Sequence, residues 1–113
     1  MTIKLRLAAL AVVTPAILAG CMNMPTPPSQ ISGSYTSGFR LEGMPCSRLS
    51  VEIESLARRE NQLVVAQEQR IKTSEVQGFW MGYGQGDGIE ASELANVRGE
   101  KEAARKAMSV KGC

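Results

Sequence analysis

A glycine-rich run in the second half of the chain constrains the fold more than any other feature of the sequence. Five of the eleven residues over 78–88 are glycine. Each glycine inside a helix costs about 1 kcal/mol relative to alanine, so a helix is not expected to continue through this density. The sequence therefore predicts a turn over residues 78–88, with a separate element on each side of it.

The segment before this turn carries a helical stripe of leucines. They recur every seven residues, the spacing of a coiled-coil-like seam: Leu49, Leu56 and Leu63. Pro45 suits the first turn of a helix, where its missing N–H would have no partner anyway. These patterns predict a helix over about 46–77. The stripe weakens beyond Leu63, where the next positions hold Gln67 and Arg70.

A second helical pattern follows the turn. Its apolar positions recur at steps of three, seven and four: Leu94, Val97, Ala104 and Met108. Asp87 and Glu90 have the spacing of a capping box, in which both side chains bind the first N–H groups of a helix. Gly112 is placed to end the helix in the left-handed conformation. We predict this helix over about 88–111.

The first twenty residues have the composition of an export signal. Lys4 and Arg6 precede an apolar run over 7–18, and small residues follow, as in a secretory signal peptide. The apolar run is too short for a stable transmembrane helix, which needs about 20 apolar residues. The sequence predicts that residues 1–20 are removed during export.

The end of this leader, Leu18-Ala19-Gly20-Cys21, resembles the lipobox of bacterial lipoproteins. The resemblance implies that a diacylglycerol is attached to the Cys21 sulfur and that cleavage follows Gly20. It further implies that the new amino group receives an acyl chain, and no other cofactor is expected. The alternative is an ordinary signal peptide with a chance cysteine.

The resemblance also bears on which membrane would hold the chain. In enteric bacteria, an aspartate directly after the lipidated cysteine favours retention in the inner membrane. Here Met22 and Asn23 follow Cys21. By resemblance, the protein is expected in the outer membrane, anchored by lipid and facing the periplasm.

With Cys21 assigned to lipid, one cysteine remains at each end of the predicted hairpin. The midpoint between Cys46 and Cys113 falls beside the glycine-rich turn, so antiparallel helices would bring the two sulfurs together. Export to an oxidising compartment favours a disulfide, with unpaired or intermolecular thiols as the alternative. We predict an all-α fold, namely an antiparallel two-helix hairpin over 46–113 that a disulfide closes.

This geometry predicts which residues face each other, because the numbers of facing residues should sum to about 159. The expected pairs are Leu49 with Val110, Leu56 with Ala103 or Ala104, Leu63 with Val97, and Glu60 with Arg98 or Lys101. Gly99 would fall in the seam, where a close approach of the two helix backbones would explain a glycine.

Residues 21–45 have the composition of a linker. Prolines, glycines and serines are frequent, and no helical stripe is present. Such a composition is not expected to bury a core, so we predict a flexible, disordered tether behind Cys21. The Pro25–Pro28 stretch could alternatively serve as a polyproline ligand. Within the same range, the stretch Ile31–Leu41, with Tyr35 and Phe39, stays unassigned, because it could form a short strand or lie on the folded part.

Three of the five aromatic residues lie within five positions at the predicted turn. With one methionine they form the group that we name the aromatic tip: Phe79, Trp80, Met81 and Tyr83. Two interpretations are open. The side chains could pack on Val76 and Ile89 as a small core cap, or they could stay exposed and dock on a partner or a membrane surface.

Composition argues against several classes of function. The 13 basic and 11 acidic residues are too balanced to indicate a nucleic-acid partner. The chain has no histidine and Asp87 is its only aspartate, so no metal site is expected. The glycine-rich loop lacks the Gly-Lys-Ser/Thr of a phosphate-binding loop, and no residue set indicates a catalytic centre. We do not expect an enzyme.

Three functions are compatible with these patterns. The first is a cell-envelope lipoprotein with a structural or protein-interaction role. The second is a binding module that docks its aromatic tip on a secretion or transport component, or on a membrane surface. The third is a phage-type lysis lipoprotein. Peptidoglycan-linked lipoproteins end in lysine, whereas this chain ends in Gly112-Cys113. The sequence identifies neither the partner nor the oligomeric state.

Overall fold

The computed structural model describes residues 23–113, and every regular element in this range is helical. A 3-10 turn over Pro28–Gln30 precedes a short helix, α1, over Phe39–Glu42. The two long helices are α2, over Cys46–Met81, and α3, over Ile89–Lys111. The predicted signal peptide over 1–20 and the predicted lipidation site at Cys21 lie outside the described residues.

Helices α2 and α3 pack together as a helical hairpin, and a disulfide joins Cys46 to Cys113 with their Cα atoms 5.9 Å apart. The predicted all-α class and the predicted cysteine pairing are therefore confirmed. We call the region of this bond the disulfide end and the region of residues 82–88 the turn end. At 1.5 Å per residue, α2 is about 54 Å long, so the two ends are far apart.

Helix α2 extends four residues beyond its predicted end at position 77. Gly78 remains helical, because one glycine weakens a long helix without ending it. The helix stops at Gly82, whose φ of 82° lies in the left-handed region that ends many helices. The turn therefore covers residues 82–88, and three residues of the aromatic tip belong to the last turn of α2.

Helix α3 begins and ends at glycines. Gly112 has a φ of 74° and ends the helix as predicted. At the other end the N-cap residue is Gly88, and no side chain caps the helix. The predicted capping role of Asp87 is thus wrong, because its carboxylate binds elsewhere, as described below.

The buried apolar cluster lies near the disulfide end. It joins α1, α2 and α3 through four side chains, each 5% exposed or less: Leu41, Leu49, Ala104 and Ala107. The predicted pair of Leu49 with Val110 is not part of it, since Val110 is 78% exposed. The expected ion pairing of Glu60 is confirmed: it accepts from Arg98 Nε at 2.9 Å and also binds Lys101.

The prediction of a flexible tether is not confirmed over residues 23–45. We call this stretch the N-terminal segment, and it lies along the hairpin from the turn end to the disulfide end. Asn23 contacts the turn, the Ser34 N–H donates to the carbonyl of Ala95 at 2.9 Å, and Leu41 enters the buried cluster. Its contacts are mostly made by backbone groups, which explains why apolar periodicity gives no sign of them.

Gly99 is explained by this segment and not by α2. A Cβ atom at this position would collide with the carbonyl oxygen of Ser34 and lie 2.9 Å from Oγ1 of Thr36. The sequence correctly indicates a close backbone approach at Gly99. The approaching chain, however, is the N-terminal segment.

Candidate functional site

The aromatic tip is the largest exposed apolar group at the turn end. The exposed fractions are 82% for Phe79, 78% for Trp80, 56% for Met81 and 51% for Tyr83. Phe79 and Trp80 contact each other edge to face, with ring centroids 5.4 Å apart. Exposed clusters of large apolar side chains on small proteins commonly mark surfaces that contact another molecule.

These side chains do not form the core cap that was one of the two expectations. Val76 and Ile89, the residues on which they would have packed, are themselves 63% and 68% exposed. The helical extension to Met81 places the aromatic rings on the outer turn of α2. The packing of the hairpin therefore does not account for their apolar character.

The aromatic tip lies in a stretch without charge. Between Glu75 and Asp87 the sequence contains no acidic or basic residue. The ionised groups nearest in sequence are Glu75, one turn earlier on α2, and Asp87, near the end of the turn. The aromatic tip itself thus presents apolar and neutral polar groups, whereas the ionised Asp87 and the Arg70–Glu90 pair lie beside it at the base of the turn.

The N-terminal segment reaches this same end of the molecule. The Gly86 N–H donates to the carbonyl oxygen of Asn23 at 2.7 Å. A Cβ at Gly84 would lie 3.0 Å from the sulfur of Met24, and one at Gly86 would lie 2.8 Å from the Asn23 amide. Gly86 also has a φ of 68°. The glycines of the turn therefore leave room for the N-terminal segment to cross it.

A cluster of polar side chains holds the N-terminal segment where it crosses the turn. The Asp87 carboxylate accepts two hydrogen bonds from Thr26, one from its backbone N–H and one from its hydroxyl, both at 2.6 Å. Gln67 Nε2 donates to Asp87 at 2.8 Å and to the carbonyl of Thr26 at 2.9 Å. We call these three residues the Asp87 cluster, which joins α2, the turn and the N-terminal segment.

The cluster changes the acidity of its carboxylate. Partial burial by itself raises the pKa of Asp87, but the hydrogen bonds from Thr26 and Gln67 outweigh it, and the Arg70 charge adds to them. The net result is a lowered pKa for Asp87. The carboxylate is thus held in its ionised form, as expected of a group that organises the backbone around it.

The leucine stripe of α2 continues into this region through polar and small residues. Beyond Leu63, the buried positions of the helix are Gln67, Ser74 and Gly78. Ser74 Oγ accepts from the Gln85 N–H at 3.1 Å, so it holds the turn as Gln67 does. The apolar stripe weakens here because this part of α2 packs on the backbone of the turn and of the N-terminal segment. Backbone groups require hydrogen-bond partners, and they leave little room for large side chains.

Ion pairs flank the turn and the middle of the hairpin. Arg70 Nε lies 3.1 Å from a Glu90 oxygen. The pKa of Glu90 is lowered, first by a hydrogen bond from its own backbone N–H and then by Arg70. Arg98, besides binding Glu60, donates through Nη1 to the carbonyls of Pro28 and Ile31. Arg98 therefore joins the N-terminal segment to both long helices.

A groove of about 490 Å³ opens near the disulfide end, between the N-terminal segment and α3. Its charged lining side chains are Glu42, Glu102 and Lys106. Among residues 23–113, no group of three or more Cys, Asp and Glu side chains is arranged to hold a metal ion. Within the same range, neither long helix has the apolar stretch that crossing a bilayer would require.

The structure thus brings Cys46 and Cys113 together and gathers the aromatic tip at the opposite end. Sequence reasoning predicted the pairing of Arg98 with Glu60 but missed the Asp87 cluster, the role of Asn23 and the hydrogen bonds of Arg98 to the N-terminal segment. One signal was present: Gln67 follows the leucine stripe, and a buried amide requires a hydrogen-bond partner. The sequence gives no comparable signal for the backbone contacts of Asn23 and Arg98.

Comparison with known protein families, with curated proteins and with solved structures finds no match to this chain.

Proposed function

We propose that this protein is a lipoprotein of the cell envelope, anchored in the outer membrane by acyl groups on Cys21. It displays a disulfide-closed helical hairpin in the periplasm, in a structural or protein-interaction role and not as an enzyme. The observation that carries this proposal is the motif Leu18-Ala19-Gly20-Cys21 behind a basic and then apolar leader. Only a cysteine thiol at that position can form the thioether to diacylglycerol.

The hairpin is proposed to be antiparallel, and three contacts support this orientation. Arg70 binds Glu90, Glu60 binds Arg98, and Cys46 bonds to Cys113. Along these pairs the position on α2 moves toward the N-terminus while the position on α3 moves toward the C-terminus. A disulfide that closes the far end is also consistent with an oxidising compartment such as the periplasm.

Mass spectrometry of the mature N-terminus tests the proposal directly. When the full chain is expressed in a Gram-negative bacterium, we expect it in the membrane fraction and an N-terminal peptide that starts at Cys21 and carries acyl groups. Two or three acyl chains suffice for lasting attachment, since each buried CH₂ contributes about 0.8 kcal/mol. The matched control is Cys21→Ser, which keeps both hairpin cysteines and should lose the acyl groups and the membrane attachment.

A mature chain that begins at another residue, or that carries Cys21 as an unmodified thiol, would contradict lipidation. Recovery in the inner membrane would contradict only the choice of membrane.

A second candidate function, binding of a secretion or transport component, is favoured by the exposure of the aromatic tip. The experiment of the next section separates that function from contact with lipid.

A further inference from the structure

The position of Asn23 restricts where the lipid anchor can lie. Its carbonyl accepts the Gly86 N–H at 2.7 Å, so the described chain begins at the turn end of the hairpin. Cys21 precedes Asn23 by two residues. Two residues of chain span at most about 8 Å, because consecutive Cα atoms are about 3.8 Å apart. An acyl group on Cys21 would therefore be tethered close to Asn23, and so to the turn end.

The aromatic tip occupies this same end. Tyr83 directly precedes Gly84, which packs against Met24, and Trp80 and Met81 lie in the turn of α2 just before it. The disulfide end is about 54 Å away along α2. The anchor and the exposed rings thus share one end of an elongated molecule, although they are about 60 residues apart in sequence.

The chemistry of the aromatic tip suits the surface of a bilayer. Tryptophan and tyrosine are enriched where membranes meet water, because an apolar ring and a polar N–H or O–H fit the headgroup level. Residues 76–86 carry no charge that would have to be desolvated there, and the charged side chains beside the turn, Asp87 and Arg70, are engaged in hydrogen bonds within the protein. The proposed anchor lies two residues before Asn23, which contacts the turn, so it would hold the rings close to lipid. Insertion of the rings would then be an intramolecular event.

We propose that the aromatic tip inserts into the headgroup region of the bilayer that holds the acyl chains of Cys21. The hairpin then stands on the membrane with its turn end in the lipid surface and its disulfide end directed away from it. This inference rests on the proposed lipidation of Cys21. The proposed partner of the aromatic tip is a lipid surface. If the tip does not contact lipid in the test below, a protein receptor becomes the alternative.

Trp80 is the only tryptophan of the chain and serves as the probe. The lipidated full-length protein is reconstituted into phosphatidylethanolamine/phosphatidylglycerol vesicles that contain lipids brominated near the headgroup. We expect the brominated lipids to reduce Trp80 emission at least about twofold, with a blue shift and protection from aqueous iodide. Since Trp80 is 78% exposed in the hairpin, these changes require a new environment and not internal packing.

The matched control moves the probe to the disulfide end. In Trp80→Phe with Phe39→Trp, the tryptophan replaces a ring that is 85% exposed, two residues before Leu41 of the buried cluster. This probe should remain quenched by iodide and unaffected by brominated lipid. Circular dichroism of both proteins verifies that the helices are retained, as expected for substitutions at exposed positions.

Trp80 that stays accessible to iodide and insensitive to brominated lipid, in protein whose acyl groups are verified by mass spectrometry, would overturn this inference and leave the proposed function intact. Equal lipid quenching at positions 39 and 80 would also overturn it, because the hairpin would then lie flat. Absence of acyl groups on Cys21 would overturn the proposed function and this inference together.

Discussion

Asp87 has the largest organising role of any single side chain at the turn end. As a residue before a helix it resembles an N-cap, but its carboxylate instead accepts hydrogen bonds from Thr26 and Gln67. A carboxylate accepts several bonds at once, and it does so best when ionised. Asp87 therefore does not cap α3, and its carboxylate binds the N-terminal segment and α2 instead.

Asp87→Asn should lower the free energy of unfolding at pH 7 by about 1–2 kcal/mol, because the charged acceptor is lost and its exposed position limits the effect. The folded-state pKa of Asp87 lies below the model-compound value of 3.8. Its contribution is thus complete above pH 3.8 and is lost as the pH falls toward the lowered pKa. Urea unfolding followed by circular dichroism at pH 7, 5 and 3 measures this.

The difference between wild type and Asp87→Asn should stay constant from pH 7 to pH 5 and become smaller by pH 3, since the contribution of the ionised carboxylate is lost as the pH falls below 3.8 toward the lowered pKa of Asp87. Glu68→Gln, at an exposed carboxylate on α2, is the matched control and should change stability by less than about 0.5 kcal/mol. A deficit that is equally large at pH 3 would show that the ionised carboxylate is not its source.

At the level of elements, the N-terminal segment acts as a third layer on a two-helix hairpin. It contributes Leu41 to the buried cluster, carbonyl groups to Arg98 and an N–H to the carbonyl of Ala95. The tight fit at Gly99 is required for this layer, since a Cβ there would meet Ser34. The N-terminal segment thus covers part of the apolar surface that two helices alone would leave exposed.

Gly99→Ala should destabilise this layer, although alanine is the better helix former by about 1 kcal/mol. Overpacking at a close contact costs about 1–3 kcal/mol, so the clash with Ser34 outweighs the propensity. We expect faster hydrogen exchange at the Ser34 amide, which donates to Ala95 in the wild type. Native-state exchange measured by NMR is the readout.

Gly43→Ala provides the control, because a Cβ at Gly43 meets open space among the described residues. It should leave Ser34 exchange unchanged and increase stability by at most about 1 kcal/mol. If Gly99→Ala preserved the slow exchange of Ser34 and stabilised the helix, the close packing of the N-terminal segment on α3 would be refuted.

These elements also show what a sequence of this kind can predict. Leucine spacing and the two cysteines sufficed for both long helices, for the Cys46–Cys113 bond and for the Glu60 ion pairs, because apolar periodicity and charge act over regular geometry. The docking of residues 23–45 depends on carbonyl groups and on space left by glycines, which have no periodic pattern. Glycine content alone does not locate the end of α2, because Gly78 stays helical and the helix ends at Gly82, where φ is positive.

For the molecule as a whole, the disulfide closes a hairpin whose apolar core is small. The buried apolar side chains are few among the described residues: four form the cluster near the disulfide end, and Leu56, Leu63 and Leu94 continue the seam between the helices. The turn itself is held by hydrogen bonds. The bond links residues separated by 67 positions. Such a long loop has much conformational freedom when it is unfolded and open.

Replacing both cysteines, Cys46→Ser with Cys113→Ser, should lower the free energy of unfolding by about 4 kcal/mol in the chain-entropy model. Urea and thermal unfolding followed by circular dichroism measure the change. Reductant should destabilise the wild type and leave the double variant unaffected, which serves as the control. A loss below about 1 kcal/mol would mean that packing and hydrogen bonds alone hold the hairpin.

The path of the N-terminal segment has a mechanical consequence. If Asn23 is pulled while the disulfide end is held, the load falls first on the contacts at the turn and then on those of Arg98, so the segment peels off stepwise. Fully extended, the 23 residues of 23–45 span roughly 75 Å at about 3.3 Å per residue, and much of that length is already used in the folded state, where the segment runs along the hairpin. Tension would then reach Cys46, whose covalent link to Cys113 shares the force between both long helices.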